Sequence, residues 1–117
     1  MFTIGDIIYS KVQYAGCSYH YEFGIVEKIT PNGRFRFRPI SSKHNGAREV
    51  IKTTSGPHKG RVWAVEQPVQ PDLDIKSNET FLLQKDGYRK GELSRCYYGY
   101  EKYSGEENLK NYSDFGD

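Results

Sequence analysis

The stretch Thr30-Pro31-Asn32-Gly33-Arg34-Phe35-Arg36-Phe37-Arg38 decides how this chain is read. From Arg34 to Arg38, arginine and phenylalanine alternate strictly. Successive side chains of an extended strand point to opposite faces, so both rings fall on one face and the three guanidiniums on the other. One face builds a core and the other is a ladder of positive charge. The preceding Pro31-Asn32-Gly33 supplies a rigid turn entry and an Asn-Gly pair that accepts positive φ, the strongest short-range signal for a hairpin. The partner strand is Tyr19 to Ile29, where Tyr19, Tyr21, Phe23 and Ile25 alternate with His20, Glu22 and Val26. A one-residue change of register would exchange these two sets between core and surface.

Outward from the hairpin, Gly5 to Val12 reads as a turn feeding a first strand that continues toward Tyr14, and Ala15-Gly16-Cys17-Ser18 breaks it. Ser41 to Ala47 is a polar loop, Arg48 to Thr54 a fourth strand, Ser55 to Gly60 a turn, and Arg61 to Val65 a fifth strand. Five short strands make residues 1–65 a small antiparallel barrel. Residues 66–79 hold Pro68, Pro71 and four acidic residues, and are expected to form a connection running over the surface. Residues 80–100 read as a C-terminal hairpin packing on the barrel, with a Lys85-Asp86-Gly87 turn and Leu93 to Tyr98 as a last extended piece. Residues 101–117 form an acidic tail. Its Ser104-Gly105-Glu106-Glu107 matches a helix capping box, but the segment behind it is too short and polar to hold a helix, so one docked turn or a mobile tail is expected.

A chain of 117 residues is long enough for one core and too short for two domains. Leu, Ile, Val and Phe supply only 25 residues, and ten tyrosines with Trp63 make up the apolar mass. Such rings suit a thin barrel or the wall of a groove, since each pairs an apolar body with a polar tip. The net charge of +2 hides an asymmetry: residues 1–65 carry ten Lys/Arg against four Asp/Glu, and residues 66–117 carry seven against eleven. The first half is a candidate surface for an acidic partner. Alternatively, the acidic half folds across the basic half of the same molecule or of a second copy. No apolar run is long enough to span a bilayer as a helix, so no membrane role is expected. Cys17 and Cys96, in a chain with no apolar leader pattern, fit reduced thiols in an intracellular setting.

The first 65 residues resemble a small SH3-like barrel of the Tudor or chromo-barrel type. The likeness is carried by Gly5-Asp6-Ile7-Ile8-Tyr9, the aromatic strand Tyr19 to Ile29, the tight turn, and the basic strand ending in Pro39-Ile40. Short proteins of bacteriophages and of large DNA viruses of the Marseillevirus type have a similar layout, their last aromatic-glycine strand corresponding to Cys96-Tyr97-Tyr98-Gly99-Tyr100. The resemblance implies a mostly β, SH3-like or Tudor-like antiparallel barrel with a less regular C-terminal extension. It also implies a place in the virion and in the cytoplasm or nucleus of the host cell. Tudor-like barrels surround methylated Lys or Arg with rings held by cation–π attraction. The rings available for such a cage are Tyr14, Tyr19, Tyr21, Trp63 and Tyr98.

Three functions compete for these residues. Arg34, Arg36 and Arg38 would stand roughly 7 Å apart along the strand, close to the spacing of successive phosphates, and Lys28, Lys52 and Arg61 extend the patch. The expected function is therefore non-enzymatic binding of nucleic acid or chromatin through the basic strand face. The alternatives are a structural or protein-interaction role, with a protein partner or a homodimer, and a methyl-lysine or methyl-arginine reader. No cofactor is expected. Cys17 and His20, three residues apart, have no second ligand pair to make a zinc site. Neither cysteine lies in a recognisable nucleophile setting, and Ser55 to Gly60 lacks the Gly-Lys-Ser/Thr ending of a phosphate loop. No catalytic residue is assigned.

Overall fold

The computed structural model describes residues 2–13, 18–90 and 97–114, and none of these is helical. Strands make up 59% of the structure. Strand β1 (Ile7–Gln13) pairs antiparallel with β2 (Tyr19–Ile29), and β2 pairs antiparallel with β3 (Phe35–His44). The predicted turn between β2 and β3 is present, with Gly33 at φ 82° and its N–H donating to the Thr30 carbonyl over 2.9 Å. Phe35 and Phe37 are buried on one face as the alternation requires.

A short β4 (Glu49–Lys52) pairs with β5 (Val62–Ile75), which also pairs with β3. Beyond it come β6 (Phe81–Leu83) beside β3, a separate hairpin of β7 (Tyr88–Lys90) and β8 (Tyr97–Gly99), and β9 (Glu101–Lys102) beside β1. The last strand, β10 (Lys110–Asp114), lies between β5 and β2. Pairings β2–β3, β3–β5, β5–β10 and β10–β2 close a four-strand antiparallel barrel, compatible with an SH3-like fold.

Phe23, Ile40, Val69 and Leu109 form one core cluster, drawn from β2, β3, β5 and the residue before β10; one residue from each wall places it inside the barrel. The opposite face of the β2–β3 hairpin builds a second core from Val26, Phe35 and Phe37, with Ile8, Leu83 and Tyr100. Gly24 makes the second core possible. A Cβ there would lie 2.5 Å from Phe37 Cδ2, so the absence of a side chain lets the ring lie flat on the strand.

Three expectations are corrected. Residues 66–75 are not a surface connection but the greater part of β5. Pro68 and Pro71 disguise it by removing ladder donors, while Val69 between them still donates to the Leu109 carbonyl over 3.0 Å. Residues 110–114 are not a tail but the strand that shuts the barrel. Ser41 to His44, read as loop, continue β3 past an irregularity at Ile40/Ser41. The capping-box residues form a turn without a helix, in which the Ser104 N–H donates to Glu107 Oε2 over 2.9 Å.

Candidate nucleic-acid interface

The guanidinium face of β3 is turned inward on the molecule's own chain. Arg38 Nε donates to Glu27 Oε2 over 2.8 Å, and its Nη1 donates to the carbonyls of Asn78 over 2.7 Å and Ser77 over 3.4 Å. The hydrogen bond from Arg38 holds the Glu27 carboxyl below its ordinary range. Arg36 Nη1 donates to Thr80 Oγ1 over 3.1 Å. Together the two arginines fasten residues 77–80, which lead into β6. Arg34 and Lys28 remain exposed at this end, with Lys28 directly opposite Arg36 in the ladder.

The remaining residues of the expected patch are far away. Lys52 and Arg61 sit at the free end of the β4–β5 hairpin, where the Thr53 N–H donates to the Arg61 carbonyl over 2.9 Å. Since His44 is level with Val69, strand rise puts Arg36 roughly 50 Å from Val62 along the sheet. The six cations therefore form two groups rather than one track. This separation agrees with principal extents of 60 × 31 × 24 Å and a radius of gyration of 16.8 Å, where a compact chain of this length would have about 13 Å.

The hairpin end is a basic arm. Arg48, Lys52, Lys59 and Arg61 are all exposed, and none makes an ion pair among the described residues. Its acids, Glu49 and Glu66, stand opposite each other at the base of the arm and both face Lys110 at 3.9 Å. The tip is fixed by its own backbone: the Gly60 N–H donates to the Thr53 carbonyl over 2.8 Å, with Gly60 at φ 87°, a conformation that favours glycine. Trp63 is 44% exposed and Val50 52%. Val50 is opposite Val65, two residues along β5 from Trp63, so the two exposed side chains share a face. Arg48 and Lys59 were missed in the sequence, though they flank the same two strands as Lys52 and Arg61.

Of the cage candidates, Tyr14 lies outside the described residues, as do Cys17, Cys96 and the side chain of Tyr98. Tyr19 and Tyr21 meet edge to face at 6.1 Å between centroids. Tyr112, contributed by β10 and invisible to the sequence reading, stacks on Tyr19 at 5.6 Å and 18°. Lys11 Nζ lies 3.9 Å from the Tyr19 centroid, so the ring already carries an ammonium of the same chain. Trp63 joins no ring cluster among the described residues. At the base of the arm a cleft of about 360 Å³ is lined by Tyr19, Tyr112, His44, Arg48 and Gln67. His20, also in its wall, has its Nε2 3.1 Å from Glu22 Oε1.

Among the described residues no three His, Cys, Asp or Glu side chains gather in a way that would hold a metal ion. No ion pair among the described residues joins a Lys or Arg of residues 1–65 to an Asp or Glu of residues 66–117. The pairs that cross the division, Lys102–Asp6 and Lys110–Glu49, run the other way. Protein-family models, curated proteins and solved structures yield no match to this chain.

Proposed function

We propose that this protein is a non-enzymatic module that binds nucleic acid, and that its β4–β5 arm makes the contact in place of the arginine face of β3. The observation that carries this is the uncompensated charge of Arg48, Lys52, Lys59 and Arg61 on a protruding two-stranded ribbon. A two-stranded β-ribbon is among the shapes the major groove admits, and unpaired cations gain affinity by releasing counterions from phosphates. Such contacts bind backbone and carry little sequence information. Trp63 on the same arm supplies an exposed face on which an unpaired base stacks. Chromatin as the target and the Tudor-like refinement of the barrel rest on the resemblance of the first 65 residues, and a place in the virion or the infected cell on that resemblance together with the layout of Cys96 to Tyr100.

Fluorescence anisotropy with labelled single- and double-stranded DNA and RNA tests this. Wild type is compared with an arm variant, in which Arg48, Lys52, Lys59 and Arg61 become Ala, and with a strand variant carrying R34A and R36A. The arm variant is expected to lose binding, and the slope of log K against log salt to fall by about 3 to 4. The strand variant keeps most of the affinity. No binding at low salt, or an arm variant that binds like wild type, overturns the proposal.

A second reading, a protein-interaction module, is favoured by β4, which pairs only with β5 among the described residues and leaves its outer edge open. Such an edge accepts an added strand. It predicts association that survives the arm variant and is lost when Val50 is changed to proline, since the Thr53 backbone groups point to β5 and alternation then turns the Val50 N–H to the outer edge.

A further inference from the structure

The β4–β5 arm has two unlike faces. Along β4, Val50 and Lys52 are exposed, while Ile51 and, just beyond the strand, Thr53 are half-buried. Along β5, Arg61 and Trp63 are exposed, Val62 is half-buried and Ala64 is buried. Successive side chains alternate between faces, so Val50, Lys52, Arg61 and Trp63 share the open one. The arm's acids lie on the other. Glu49 and Glu66 oppose each other in the ladder, and two residues along the same face Ile51 opposes Ala64.

The position of Trp63 is set by an irregularity in the pairing. Ile51 is opposite Ala64 and Lys52 is opposite Val62, so Trp63 is an extra residue between two ladder pairs. Such a β-bulge bends its strand and re-aims a side chain. Here the result is an exposed indole beside exposed Val50, with Lys52 level with the residue next to it and Arg61 two residues away, roughly 7 Å along the strand. Cations and apolar surface are interleaved on one face.

Charge alone does not tell a single strand from a duplex, because both carry phosphates. The indole does. A base offers its flat face only where its neighbour in the stack is missing, and that face is what an exposed aromatic ring takes. Against a paired duplex the same face would bring the Val50 methyls and the indole to base edges or phosphates, where they offer a single N–H donor between them.

We propose that the arm takes single-stranded nucleic acid, and that Trp63 selects it over duplex by stacking one unpaired base while Lys52 and Arg61 hold the phosphates on either side. This rests on the nucleic-acid reading of the arm and adds the class of strand and the residue that distinguishes it.

The test is anisotropy at low salt with three labelled probes of one length: a single strand, prepared as DNA and as RNA, its blunt duplex, and an abasic strand that keeps the phosphates but lacks the bases. Wild type should bind the single strand about tenfold tighter than the abasic strand. Trp63→Ala should lower single-strand affinity about tenfold, leave the duplex and the abasic strand within about twofold, and keep the salt slope, since no charge is removed. Trp63→Phe, which retains a ring, should keep most of the preference. The DNA and RNA arms tell which strand is the source. Equal wild-type affinity for the single and abasic strands, or a Trp63→Ala variant that weakens all probes alike, overturns this proposal and leaves phosphate binding by the arm standing. No binding of any probe overturns both.

Discussion

Gly24 is the position where the two-core arrangement is most exposed to test. In an ordinary strand interior, Gly→Ala stabilises by about 0.5–1 kcal/mol, because it restricts the unfolded chain. Here the new Cβ would sit 2.5 Å from Phe37 Cδ2, 3.1 Å from Cε2 and 3.3 Å from the Arg38 carbonyl oxygen. Carbon pairs are at their optimum near 3.5–4.0 Å, so the ring must retreat by about 1 Å or more. It has nowhere to go. Phe37 is 1% exposed and packs on Tyr100 at 4.8 Å and Phe81 at 5.9 Å between centroids. Overpacking of this kind costs about 1–3 kcal/mol, which outweighs the entropic gain. Gly24→Ala is therefore expected to destabilise. Phe37→Leu withdraws the clashing ring edge, so alanine at 24 should cost less in that background, with a coupling of about 1 kcal/mol. Urea unfolding of the two single variants and the double variant gives the cycle. A neutral or stabilising Gly24→Ala, or additivity within about 0.5 kcal/mol, refutes the reasoning.

Ser10→Ala removes a buried hydroxyl that has no partner among the described residues, so the free protein should become more stable by about 1 kcal/mol in urea unfolding. The Thr3 N–H, 2.8 Å from Asp6 Oδ2, holds the Asp6 carboxyl below its ordinary value of 3.8. Its stabilisation is present above that value and disappears as pH falls through the lowered one; the urea midpoint of Asp6→Asn should lose this part of the acid dependence. Burial and the hydrogen bond to Glu101 push the Tyr9 hydroxyl up from 10.0 to about 12. That contribution is intact below 10.0 and lost as pH rises through about 12, and an ultraviolet titration of tyrosinate should lose a step near pH 12 in Tyr9→Phe.

What could be read from the sequence was local. The hairpin of β2 and β3 announces itself through a period of two and an Asn-Gly turn, and both signals lie within twenty residues of chain. Alternation correctly sorted Phe35 and Phe37 from Arg36 and Arg38. It could not say what lies over the arginine face, because Ser77, Asn78 and Thr80 arrive there from forty or so residues away. The same limit hid β10. Lys110 to Asp114 have no apolar run, and they are a strand because β5 and β2 present free ladder edges to them. In β5, the prolines gave a true local signal that tertiary pairing overrode. Of the cage candidates, Tyr19 and Tyr21 meet each other, but the rest of their surroundings, the Tyr112 ring and the ammonium of Lys11, depends on register and was not legible.

Trp63 is the single tryptophan of the chain and stands exposed on the arm, so its emission reports contact at the place the account assigns to nucleic acid. Titrating wild type with an unlabelled oligonucleotide at low salt should change Trp63 emission over the same concentration range as the anisotropy signal, and added salt should shift both together. Emission that stays constant while the oligonucleotide is bound, or no binding at low salt, contradicts the account.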